Sequence, residues 1–129
     1  MSKWAHILAG IAALSGAAGI MELAAAAHVI SDPLLKTSAD FLLFNAAAVI
    51  AISALSVGGA RRTGWLLLAA TTLLCGSVLF AAELSTHVFL GRRILPLAAP
   101  VGGGMTILGW LATAVAAFAC AFQPRRQSR

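Results

Sequence analysis

Charge is what this chain has least of. Asp, Glu, Lys and Arg together make up 10% of 129 residues, against 60% hydrophobic residues and a mean hydropathy of +0.94. That is too little polar residue to coat a soluble globule of this size, so a membrane protein is expected. Cysteine is almost missing. Cys75 and Cys120 both lie inside apolar runs, where a small buried hydrophobe is the ordinary role, and they carry no information about redox compartment. The templates of enzyme chemistry are missing as well. Ser15, Ser53, Ser56, Ser77 and Ser85 have no nucleophile elbow around them, and Gly102-Gly103-Gly104 lacks the Lys of a phosphate loop. No catalysis is expected, and the length leaves no room for a soluble catalytic domain beside the membrane part.

The charge that is present is basic, with a net +5 and a pI near 10.7. The basic residues come as scattered pairs at the ends of apolar runs, which is the pattern of topology signals and phospholipid head-group contacts. No continuous basic face or motif points to nucleic acid, which is not an expected partner. Lys3, the apolar run Ile7 to Ile20 and the alanines at 24–27 imitate a secretory signal. The apolar run extends past signal length and carries Glu22 near the supposed cleavage point, so it is expected to be a retained first span.

A single transmembrane domain over residues 1–129 is expected, all-α, with four spans near 4–30, 38–57, 65–90 and 97–122. The first is long, about 40 Å at 1.5 Å per residue, and rich in small residues such as Gly10, Gly16 and Gly19, which suggests a central helix. Asp32-Pro33 ends it; Leu34 to Thr37 reads as an interfacial turn, with Ser38 or Asp40 as a cap for the second span. Gly58 to Gly64 is a flexible basic loop, and Pro124 to Arg129 a frayed basic tail. The triple glycine Gly102, Gly103, Gly104 weakens helix at the start of the fourth span and admits a close approach by backbone or ligand. His6, near one end of the first span, suits an interfacial side chain. Six of the Lys and Arg residues (3, 61, 62, 125, 126, 129) fall on the side of the termini and three (36, 92, 93) on the other, which favours both termini in the cytoplasm.

Polar residues inside the spans are costly in lipid and mark sites. In an up-down arrangement Glu22, His28, Asn45, Glu83 and His87 come to one level of the membrane, close to the glycine patch. Glu83 and His87, four apart, share a helical face. The outer thirds of spans one and three also look alike, Glu22-Leu23 with His28-Val29 and Glu83-Leu84 with His87-Val88, although the spacing differs by two residues. Three roles are open. Glu83 can pair with His87 while Glu22 bonds Asn45 or Ser85, as polar fastening between helices. The two carboxylates can share a proton or a metal cation, with Glu22, Glu83 and His87 as the ligands. The cluster can also anchor an organic cofactor or a lipid against the glycines, with Phe44, Met105 and Trp110 as walls.

Ser15-Gly16-Ala17, Ala27-His28, Pro100-Val101-Gly102-Gly103 and Gly109-Trp110 together resemble the small four-span bacterial membrane proteins grouped as domain of unknown function 423. The resemblance implies a compact four-helix bundle in the bacterial inner membrane, and no activity to transfer. The family pattern has a Tyr-x-x-x-His in the second span, where this chain has Phe41 and Asn45, and Phe-Ser-Gly-Ser-Leu-Tyr in the third. Glu83 falls on a serine of that stretch, Ser85 on its tyrosine, and Glu22 on an ordinarily apolar position. His28 and the glycines thus match the pattern, whereas both carboxylates depart from it. The expected function is an accessory or assembly subunit that meets lipids and other membrane subunits, or itself, through small-residue faces. A small transporter or proton-conducting protein is the alternative.

Overall fold

The computed structural model describes residues 3–58 and 63–122. The loop residues 59–62, including Arg61 and Arg62, and the basic tail from Pro124 to Arg129 lie outside the described residues. Four helices follow in order: α1 (Lys3–His28), α2 (Pro33–Leu55) extended by a single 3-10 turn at Ser56–Gly58, α3 (Thr63–Leu90) and α4 (Ala98–Ala121). All four are long and apolar enough to cross a membrane. The α1–α2 and α3–α4 turns lie at one end, the hairpin end.

Helix α2 starts earlier than its sequence suggested. Asp32 is extended at φ −116° and accepts the Leu34 N–H at 2.8 Å, and Pro33 occupies the first helical position, where its missing N–H costs nothing. Leu34 to Thr37 is therefore helix, not a turn, and neither Ser38 nor Asp40 caps it. Asp40 instead pairs with Lys36 at 2.6 Å, one turn away on the exposed side. Helix α3 ends at Gly91, whose φ of +66° is the left-handed conformation that favours glycine after a helix.

Helix α4 runs unbroken through its three glycines because one of them packs against backbone. A Cβ at Gly102 would lie 2.6 Å from the Phe80 nitrogen and 2.7 Å from the Gly76 carbonyl oxygen. A Cβ at Gly76 would in turn sit 2.7 Å from the Thr106 nitrogen, and one at Gly109 would sit 2.9 Å from the Leu73 Cα. Gly102 and Gly109 are seven residues apart, so they form one stripe that brings the α3 and α4 backbones together. Gly103 has only ordinary contact with the Phe80 ring at 3.8 Å, and Gly104 faces open space. Close approach therefore belongs to Gly102, not to the run of three. A looser seam joins α1 to α2, where a Cβ at Gly19 would meet the Ala39 oxygen and Leu42 at 3.1 Å.

The first helix is not central. In α2 and α3, 44% and 50% of the most apolar stretch is buried, against 17% in both α1 and α4. Helix α1 packs mainly on α2, α2 on α3 and α3 on α4, while α1 and α4 have next to no contact, so the bundle is open rather than closed. Small residues mark a face that approaches a neighbour closely; they do not say how many neighbours a helix has. The apolar core, built on Leu8, Ala12, Val49, Leu66, Ala70 and Leu73, fills the half away from the hairpin end.

Substitution separates the glycines. Gly102→Ala should lose about 1–3 kcal/mol by forcing α3 and α4 apart, and Gly104→Ala should gain up to about 1 kcal/mol from helix propensity. Reversible unfolding in mixed micelles reads both, and equal effects would contradict the seam.

Candidate functional site

The polar side chains at the hairpin end begin with Ser85. Its hydroxyl donates to Glu22 Oε1 across the α1–α3 contact and lies 2.9 Å from the Ser38 Oγ on α2. Ser38 is fully buried and donates to the Ala81 carbonyl at 3.1 Å. Three helices are thus joined through two hydroxyls and one carboxyl. One turn deeper the Phe41 and Phe80 rings stack with centroids 4.2 Å apart, which seals the group on its inner side. The second Glu22 oxygen, Oε2, is buried with no partner.

Glu83 belongs to a different contact. Only 4% of it is exposed, and its Oε2 accepts the Leu95 N–H at 3.2 Å from the segment between α3 and α4. Its Oε1 has no partner, nor does Nδ1 of His87, and the two residues do not hydrogen-bond each other. Helix geometry explains the division. Glu83 and Ser85 are two residues apart, about 200° around the axis, so one faces the α3–α4 turn while the other faces α1 and α2.

Asn45 makes a third contact. Its amide donates to the Phe41 carbonyl at 2.8 Å, and its Oδ1 accepts the Trp110 indole N–H at 3.1 Å from α4. It does not meet Glu22. His28 sits exposed in the last turn of α1 and joins none of these groups. Among the described residues no three His, Cys, Asp or Glu side chains come together closely enough to hold a metal, so Glu22, Glu83 and His87 are not a ligand set. The proposed walls fail too. Phe44 points away from the protein at 73% exposure, and the space beside Gly76 is filled by Met105 and Thr106 of α4.

Two participants were not expected from sequence. Ser38 was read as a cap and Trp110 as an apolar wall, yet both are hydrogen-bonding members. A signal existed for the first: Ser38 and Asn45 are seven residues apart on α2, which places them on one stripe. A further bond, from the Trp4 indole N–H to the Thr71 Oγ1 at 3.0 Å, ties α1 to α3 at the opposite end. Every side-chain hydrogen bond between different helices described here therefore links the α1–α2 hairpin to the α3–α4 hairpin, while each hairpin is closed by glycine contacts.

Comparison with known proteins agrees with the membrane assignment. A family model described as "Protein of unknown function (DUF423)" matches residues 15–103, from the small-residue stretch of α1 through Gly102-Gly103. A UPF0382 membrane protein of Haemophilus influenzae is 26% identical over 115 residues, covering 84% of this chain and 90% of its own length. No solved structure matches the chain.

The two acids should respond differently to substitution. Ser85→Ala removes the partner of the Glu22 Oε1 and should cost roughly 1–3 kcal/mol in unfolding free energy. Glu83→Leu should instead speed hydrogen exchange at the Leu95 amide by about tenfold or more while exchange at residues in the centre of α2 is unchanged, for a lost bond of roughly 1.5–3 kcal/mol. Unaltered protection at Leu95 would contradict the anchoring role.

Proposed function

The chain belongs to the DUF423 family of proteins of unknown function, which supplies no activity to carry over, so we propose a role from its surfaces: a non-enzymatic accessory or assembly subunit that docks on a larger membrane complex. The observation that carries this is the position of α1. The helix is supported mainly from the α2 side, and its other faces present Gly10, Ala13, Ala17 and Ala24 outward, with no atom within 4 Å of where a Cβ on Gly10 would stand. In lipid, helices associate by close packing of such small residues. The charge count supports an arrangement with both termini in the cytoplasm, and hence a plasma-membrane location.

The polar groups at the hairpin end serve as fasteners in this reading. A proton-conducting protein would need Glu22 to pass protons onward. The Ser85 hydroxyl donates to Glu22 and the Ser38 hydroxyl donates to the Ala81 carbonyl, which has no proton to relay, so neither hydroxyl proton bridges Ser85 to Ser38. That weighs against the alternative.

Affinity purification of the full chain in mild detergent should bring down a stoichiometric membrane partner. The double variant Gly10→Leu/Ala13→Leu should lose that partner while keeping its unfolding midpoint, since both positions are exposed. A monodisperse monomer in several mild detergents, or a partner retained by the variant, would defeat the proposal.

A further inference from the structure

We propose that the α3–α4 turn binds an anionic phospholipid, with Arg92 and Arg93 on its phosphodiester and one acyl chain in the adjoining groove. The chain reverses at Gly91 and presents both arginines to the exterior. Among the described residues the one ion pair is Lys36 with Asp40, so neither arginine is engaged by a carboxylate of this chain. The guanidinium fork matches phosphate oxygens and is weakly hydrated, which suits the head-group region. The residues that follow turn from charged to apolar at once: Ile94, Leu95 and Leu97 are all largely exposed. Such a segment is poorly placed in water and well placed where head groups meet hydrocarbon.

Beside it lies a groove of about 380 Å³ lined by Leu79, Leu95, Pro96, Leu97, Ala98 and Val101. Its lining begins two residues after Arg93 and continues onto α3 and α4, so a lipid whose phosphate meets the arginines would have an acyl chain within reach of it. The groove wall is held from inside, because Glu83 takes the Leu95 N–H and the Leu95 carbonyl accepts the Ala98 N–H at 2.9 Å. The apolar wall of the site therefore exists before a lipid arrives, and the ordering cost of binding falls on the two arginine side chains.

The other turn at the same end shows why the ligand is anionic. Its groove, lined by Ala26, Ala27, Asp32, Pro33 and Lys36 among others, has one lysine already paired and a carboxylate at its edge. The α3–α4 turn has two unpaired cations, and its nearest acid, Glu83, is buried beneath it. A zwitterionic head group would bring an ammonium with no exposed carboxylate to receive it. This assignment does not depend on the docking role of α1.

The test uses the full chain, delipidated in detergent and offered an equimolar mixture of phosphatidylglycerol and phosphatidylcholine with identical acyl chains, with bound lipid counted by native mass spectrometry. Phosphatidylglycerol should be retained roughly twenty-five-fold better, at roughly fivefold for each of the two arginines. Arg92→Gln/Arg93→Gln should bring the ratio near one with the unfolding midpoint unchanged, and Lys36→Gln should leave it intact. Val101→Trp, which fills the groove, should lower retention of both lipids. Equal retention by the wild type, or an undiminished preference in the double arginine variant, would overturn the proposal. So would displacement of the lipid by glycerol 3-phosphate at similar concentration, which would mark a site for a free anion.

Discussion

In hydrocarbon an apolar side chain gains nothing by leaving lipid for protein, so helices that stay together must do so by close packing or by hydrogen bonds. This chain uses both devices. Packing closes each hairpin, most tightly where Gly102 lies against Gly76 and Phe80 with no space for a Cβ. Between the hairpins α2 packs on α3 through the apolar core, and hydrogen bonds add to that contact: Trp4 to Thr71, Ser38 to Ala81, Ser85 to Glu22, and Trp110 to Asn45. Backbone-to-backbone contact has a single short distance and specifies its partner sharply.

The two acids between the helices, Glu83 buried and Glu22 half-buried, follow from the same constraint. Each sits where helices alone would leave a backbone or hydroxyl donor unmet at the hairpin end, with Glu83 taking the Leu95 N–H and Glu22 taking the Ser85 hydroxyl. An acceptor with two oxygens on a flexible stem reaches groups that no backbone carbonyl of a regular helix can. In this position Glu83 also fixes the segment that carries Arg92 and Arg93. If those arginines are occupied by lipid phosphate, they are recognition residues rather than topology signals, and Lys36 alone remains on that side to oppose the six basic residues on the other.

Hydropathy made the four helices legible in the sequence, because the hydrocarbon thickness imposes a length that few other folds require. The common level of Glu22 and Glu83 was legible from rise per residue, but the level expected for Asn45 was not met, since it bonds Trp110 about two turns deeper. The direction of these residues around each axis was not legible. Glu22 and Glu83 share a depth while Asn45 lies about 10 Å deeper, seven residues below Ser38 at 1.5 Å each; the side each one faces depends on helix rotation, and rotation is set by contacts such as Gly102 on Phe80 that involve residues far apart in sequence. The central position assigned to α1 failed for a related reason. Its many small residues fall on more than one face, and only Ala5, Leu8, Ala12 and Gly19 are buried.

The departures from the family pattern become intelligible as contacts. Ser85 stands where that pattern has a tyrosine, and Glu22 where it is ordinarily apolar; in this chain those two residues touch. Glu22 reaches in from α1 and accepts the Ser85 hydroxyl, while the Ser38 Oγ lies 2.9 Å from it on α2. Asn45, on the histidine position of the second span, likewise meets Trp110, with its carbonyl oxygen facing the indole N–H. A charge-capable side chain in the membrane is usually read as a site of action. Here the acid on α1 accepts the small hydroxyl on α3 through its Oε1, which gives that oxygen a structural partner and leaves Oε2 without one.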